Sequence, residues 1–175
     1  FPYTTLFRSI LGIDPGSRFT GYGVIEAAAG KSRHLACGRI NATTGEMPQR
    51  LLSIFDGLAA VIREFQPQEV ALEEVFVNKN MMSALVLGQA RGVAICAAAQ
   101  AGLPLSEYAA TQVKLALTGN GRADKAQVQH MVKILLNLRE AMAADASDAL
   151  AVALTHAHVR STKIRAGMTL KGTWG

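Results

Sequence analysis

Three short apolar segments in the first forty-one residues, each closed by turn residues, constrain this chain more than any other feature. Ser9 to Ile13 is stopped by Asp14-Pro15-Gly16, and Thr20 to Ala27 carries Tyr22, Val24 and Ile25, so the two read as a β-hairpin. Leu35 to Asn41 supplies a third strand, after which Thr43, Thr44, Gly45 and Pro48 lead into a helix. Leu51, Phe55, Leu58, Ile62 and Phe65 give that helix one apolar stripe, which Pro67 ends. Glu69 to Phe76 reads as a fourth strand, and Asn80 caps a long helix, rich in Ala and Gly, that runs to Gly102. Leu103 to Tyr108 is a fifth strand, and helices follow over Thr111–Leu117, Asp124–Leu138 and Ala144–His158, with a break at Gly119-Asn120-Gly121. Strands first, then alternating helices and strands, then terminal helices, predict an α/β domain on one mixed sheet of about five strands with helices on both faces.

Composition sets outer bounds. Of the 175 residues, 50% are hydrophobic and 18% charged, which excludes disorder as the main state. No apolar run approaches the ~18 consecutive residues of a membrane-spanning helix, because the longest, Val93 to Ala99, is closed by Gln100. Arg8, Gly12, Asp14 and Pro15 break up any signal-peptide pattern at the start. Cys37 and Cys96 have neither metal-ligand nor C-x-x-C spacing, and are expected to be buried, inert thiols of a cytosolic protein. Residues 1–8 fit no element and read as a leader, 9–160 as the domain, and 161–175 as a basic, flexible tail.

The net charge of +5 is unevenly placed. Residues 1–108 hold nine Lys/Arg against nine Asp/Glu, whereas residues 109–175 hold nine against four. Lys114, Arg122, Lys125, Lys133 and Arg139 precede Arg160, Lys163, Arg165 and Lys171 in that stretch, a pattern that favours an anionic partner such as nucleic acid and is equally compatible with plain solubility.

Four carboxylates stand where a sheet-based site would want them: Asp14 after the first strand, Glu73 at the end of the fourth, and Asp145 with Asp148 at i and i+3 on the last helix. Oxygen-only donors suit magnesium or manganese rather than zinc. Two such ions can hold the attacking water and the leaving oxygen of a displacement at phosphorus. Taken singly, each feature has a structural alternative. Asp-Pro-Gly is a turn signature, Glu73-Glu74 can be solvated acids, and Asp145 with Asp148 complement a helix dipole. Spacing alone reaches a metal-dependent phosphoryl-transfer site and no further.

The segment from Ile10 to Gly23, ILGIDPGSRFTGYG, resembles the opening of the RuvC family of bacterial Holliday-junction resolvases. Ala71-Leu72-Glu73-Glu74-Val75-Phe76, Leu87-Gly88-Gln89-Ala90-Arg91-Gly92 and Asp145-Ala146-Ser147-Asp148-Ala149-Leu150-Ala151 match in the same order, so the likeness covers about residues 9–159. It implies an RNase H-like fold and a magnesium-dependent endonuclease, with two ions per site and manganese able to substitute, acting as a homodimer on four-way junction DNA. Symmetric nicking of two opposite strands would leave 5′-phosphate and 3′-hydroxyl ends. By the same likeness Asp14, Glu73, Asp145 and Asp148 are the catalytic, metal-holding acids. Lys114 and Lys125 are then DNA-binding, Phe76 stacks on or wedges against junction bases, and the RuvA–RuvB branch-migration complex is a partner in a bacterial, nucleoid-associated, cytoplasmic setting. The loop from Arg139 to Ala144 lacks the proline usual in the family.

Two rival readings differ in class. An actin-like or sugar-kinase-like ATPase also opens with strand, Asp, x, Gly, but needs a second such hairpin, and the chain has none. A non-catalytic junction-binding protein would have little reason to keep four mutually repelling acids. His130, His156 and His158 are expected to be structural or surface residues, and Met81, Met82, Met131 and Met142 to pack in the core or loops.

Overall fold

A computed structural model of the chain describes residues 7–74 and 80–168. The five expected strands form one sheet: β1 (Arg8–Asp14), β2 (Phe19–Ala28), β3 (Lys31–Asn41), β4 (Glu69–Glu73) and β5 (Leu105–Tyr108), in the order β3-β2-β1-β4-β5. β1 to β3 run antiparallel, as hairpin-linked strands can, whereas β4 and β5 lie parallel to β1 and reach their places through helical crossovers. Those crossovers are α1 (Met47–Phe65), which Pro48 helps to start, and α2 (Met81–Gln100), whose first turn is capped by the Asn80 side chain accepting from the Met82 and Ser83 amides. Three helices follow: α3 (Ala110–Thr118), α4 (Lys125–Leu136) and α5 (Ala144–Arg165).

The period-2 alternation of the strands assigns the two faces. Leu11, Ile13, Val24, Val70 and Leu72 point to one face and pack with Ile54, Leu58, Val61 and Ile62 of α1 and Ala90, Ala94, Ala97 and Ala98 of α2. Ile10, Ile25, Ala71 and Tyr108 point to the other, against Val113 of α3, Val132 of α4 and Leu150 and Leu154 of α5. Helices therefore cover both faces. Asp14 follows Ile10 and Gly12 in parity, and Glu73 follows Ala71, so both acids project on the α5 side.

Four expectations change. The last helix continues to Arg165, past His158, because Thr155, His156 and Ala157 still face the core and carry the helix onward. Cys96 is exposed and Cys37 only half-buried, since α2 turns its alanine row, not Cys96, toward α1 and the sheet. Met81 and Met82 are exposed rather than packed. By length and composition alone α2 is apolar enough to cross a membrane, although its consecutive apolar run is short, because its glycines, serine and single arginine dilute its apolar character so little.

Candidate active site

Glycines admit the acidic helix. A Cβ on Gly12 would stand 2.0 Å from the Ala149 carbonyl oxygen, and one on Gly21 2.0 Å from the Asp145 carbonyl oxygen. Across the sheet Gly12 pairs with Gly23, and Asp14 with Gly21. The bare backbone of β1 and β2 thus lets the first turns of α5 lie directly on the strand ends. The sequence shows these glycines inside strand patterns, where they mark close backbone approach.

The carboxyl end of the sheet is where a parallel arrangement places a ligand site. Asp14 ends β1 and Glu73 ends β4, one step beyond the paired Ile13 and Leu72. Asp145 and Asp148 are brought over them by the first turn of α5, whose start is fixed by the Ser147 amide donating 3.0 Å to the Ala143 carbonyl, without help from a proline. The four acids feel one another. Burial first, then the charges of Glu73, Asp148 and Asp145, push the Asp14 carboxyl up to about 8, against the opposing Lys125 charge. Burial and Asp148 raise Glu73 as well, while Lys125 and Lys114 work against the shift.

Both predicted lysines are at the site. Lys125 Nζ donates to Asp148 Oδ2 at 2.6 Å, and that bond, more than the surrounding charges, holds the ammonium above its ordinary range. Lys114, with Lys125, Glu73 and Asp148, lines a cleft of about 240 Å³ walled by Val113 and Val128. A larger cleft of about 350 Å³ lies at the far end of the molecule, between the β2–β3 turn and the end of α5, and holds none of the acids. Of these two clefts, only the smaller is lined by both carboxylates and lysines, Glu73 and Asp148 with Lys114 and Lys125. Phe76 lies outside the described residues. Among the described residues, no three acids close around a common point as a finished metal cage.

Several groups around the site were not legible beforehand. Arg50 reaches from α1 to donate to the carbonyls of Ala42, at 2.7 Å, and Ser17, clamping the turn that follows Asp14. Thr20, fully buried, closes the same turn by donating 2.9 Å to the Gly16 carbonyl. Beneath the sheet's end, Tyr108 Oη lies 2.7 Å from His156 Nδ1, and His156 Nε2 lies 2.6 Å from Glu69 Oε2, which Arg160 also approaches. Burial alone would raise Glu69, but His156 and then Arg160 hold its carboxyl below the usual range. His156 is therefore a structural strut between β4, β5 and α5, as expected of a non-catalytic histidine, and His130 is at the surface.

Residues 10–156 match the family model described as crossover junction endodeoxyribonuclease RuvC. The chain belongs to the RuvC family. A RuvC of Shewanella amazonensis is 55% identical over 158 residues, 90% of this chain and 91% of that protein. The solved structure of RuvC from T. thermophilus in complex with Holliday junction substrate superposes with a TM-score of 0.83 at 36% identity, covering 89% of this chain and 96% of that one. The yeast mitochondrial Holliday junction resolvase Ydc2 shares the fold, at a TM-score of 0.63 and 12% identity. RuvC membership fixes the RNase H-like fold and a nuclease identity, and it sets aside the ATPase reading.

Proposed function

We infer that this chain resolves four-way DNA junctions, nicking two opposite strands symmetrically in recombination and repair. The observation that carries the reading is the convergence of Asp14, Glu73, Asp148 and Asp145 at the carboxyl end of the sheet, where burial first, and then the charges of the other three, push the Asp14 carboxyl up to about 8. An all-oxygen donor set under that repulsion fits a hard divalent cation, magnesium by preference, with manganese as a substitute. Asp14, Glu73, Asp145 and Asp148 would hold it, two ions per site, once Asp148 is shared with or released by Lys125. Bound there, such ions supply a more acidic water and neutralise charge at phosphorus.

The chain's own groups do the rest. Glu73, at the end of β4, orients the attacking water. Lys114 and Lys125, on either side of the Gly119-Asn120-Gly121 break, hold the phosphate backbone, offsetting the repulsion between a phosphodiester and four acids. Oxygen of water bonds to phosphorus, the bond to the 3′ oxygen breaks, and the leaving oxygen takes a proton, giving 5′-phosphate and 3′-hydroxyl ends fit for ligation. Phe76 stacks on bases exposed at the junction.

A two-fold protein matches a roughly two-fold junction. We assign the homodimer contact to α2, which leaves Met81, Met82 and Leu85 exposed together at its start. The RuvA–RuvB complex is the proposed partner in a bacterial cytoplasm, at the nucleoid. Residues 9–160 serve as the nuclease unit and the basic stretch beyond them as an accessory.

The test is a cleavage assay on a synthetic four-way junction against linear duplex of the same sequence, with and without magnesium. Paired nicks on the junction alone, and only with metal, are expected. Equal cutting of the linear duplex would remove the structure selectivity, and no cutting of either would remove the activity.

A further inference from the structure

Lys114 and Lys125 lie on one side of the acid cluster, and a second group of cations lies on the other. Phe19 opens β2, and the register sets Gly21 opposite Arg39 and Phe19 opposite Asn41. Cross-strand partners share a face. Gly21 is the residue over which the Asp145 backbone passes, so Arg39 and, two residues along the strand from Gly21, Phe19 stand on the face that carries α5, beside its acidic first turn. The Arg39 guanidinium carbon sits 4.3 Å from the centre of the Phe19 ring. Arg39 is exposed, and so is Arg18 in the turn between Asp14 and Phe19.

Several of the molecule's other arginines are spoken for. Arg33 binds Glu26, Arg91 binds Glu107, Arg160 binds Glu69, and Arg50 binds backbone carbonyls. Neither Arg39 nor Arg18 has a carboxylate partner among the described residues. A guanidinium held over an aromatic ring is already partly ordered, and N–H groups turned away from the ring can fork a phosphate. That is a preorganised anion contact a few residues from Asp14.

We propose that the Phe19–Arg39 stack, with Arg18, is a DNA-backbone contact forming the second wall of the nucleic-acid groove, across the acids from Lys114 and Lys125. The proposal rests on the endonuclease reading and adds to it a surface on the β2–β3 edge. A strand threaded over four carboxylates is repelled by all of them. Cations on both flanks hold the phosphates before and after the scissile one, so the strand is centred over Asp14 rather than pulled toward α3 and α4.

The experiment measures binding of a fluorescent four-way junction without divalent metal across a range of salt. Arg39→Ala is expected to lower the slope of log affinity against log salt by about one and to weaken binding about tenfold. Arg39→Lys should restore the slope, and Phe19→Leu should weaken binding severalfold with the slope kept. Lys31→Ala, at the far end of β3, removes the same charge from the same strand and should leave the slope unchanged. An unaltered slope in Arg39→Ala, or an equal loss in Lys31→Ala, overturns the second wall while leaving the endonuclease reading in place. Failure of the unmutated protein to bind the junction overturns both.

Discussion

Lys125 Nζ lies 2.6 Å from Asp148 Oδ2, so one of the protein's own cations already occupies an acid of the candidate metal site. Removing it should have opposite effects on two ligands. Lys125→Gln is expected to bind manganese severalfold more tightly in calorimetry, since Asp148 loses its competitor. The same variant should bind junction DNA more weakly, with a salt slope smaller by about one. Unchanged manganese affinity would show that lysine and metal do not share this carboxylate.

Asp14 gives a pH dependence of definite sign. Its carboxyl, pushed up to about 8 in the folded protein from an ordinary 3.8, keeps a proton that the unfolded chain gives up. The metal-free protein should therefore lose stability as pH rises from about 4 toward 8. Asp14→Asn abolishes that loss, with a gain of roughly 5 kcal/mol at pH 8, or about 10–20 °C in Tm, and almost none at pH 4. The same variant should stop cleavage and keep junction binding. Thermal melts at the two pH values, in EDTA, check the first part.

Gly12→Ala drives a methyl group to 2.0 Å from the Ala149 carbonyl, a main-chain atom that cannot swing aside. A cost of about 3 kcal/mol or more is expected, seen as an earlier denaturation midpoint. Any surviving folded protein should cut poorly, because α5 and its two acids lift off the sheet. Near-normal stability and cleavage would mean that α5 does not depend on this close seat.

Met81, Met82 and Leu85, 78%, 67% and 63% exposed, gather near the start of α2. Leu85→Glu should leave the circular dichroism spectrum unchanged and shift sedimentation from dimer to monomer. Coordinated nicking of two strands should give way to single nicks. A variant that remains dimeric would move the interface elsewhere.

Much of this was legible from the chain alone, for identifiable reasons. The Ser9–Ile13 and Thr20–Ala27 segments declare themselves through period-2 alternation and a turn at Asp14-Pro15-Gly16, and Asn80 marks its helix through a local cap. Asp14 and Glu73 stood out at strand ends and Asp145 with Asp148 by their spacing at the start of the last helix, whereas Lys114, in the middle of α3, and Lys125 were suggested only by the family likeness. The Tyr108–His156–Glu69 strut was not, because its members are 48 and 87 residues apart and are joined only by tertiary packing. The exposure of Cys96, Met81 and Met82 was hidden for a related reason. α2 is apolar nearly all round, so its pattern does not say which side faces the sheet.

The bare strands under α5 have one more consequence. Where helix rests on sheet through main-chain atoms, the spacing between the two is ruled by peptide geometry and not by rotamers. Aspartates mounted on such a joint take their height above the strands from the main chain beneath them, with Leu150 and Ala153 filling the space over Gly23 and Gly12.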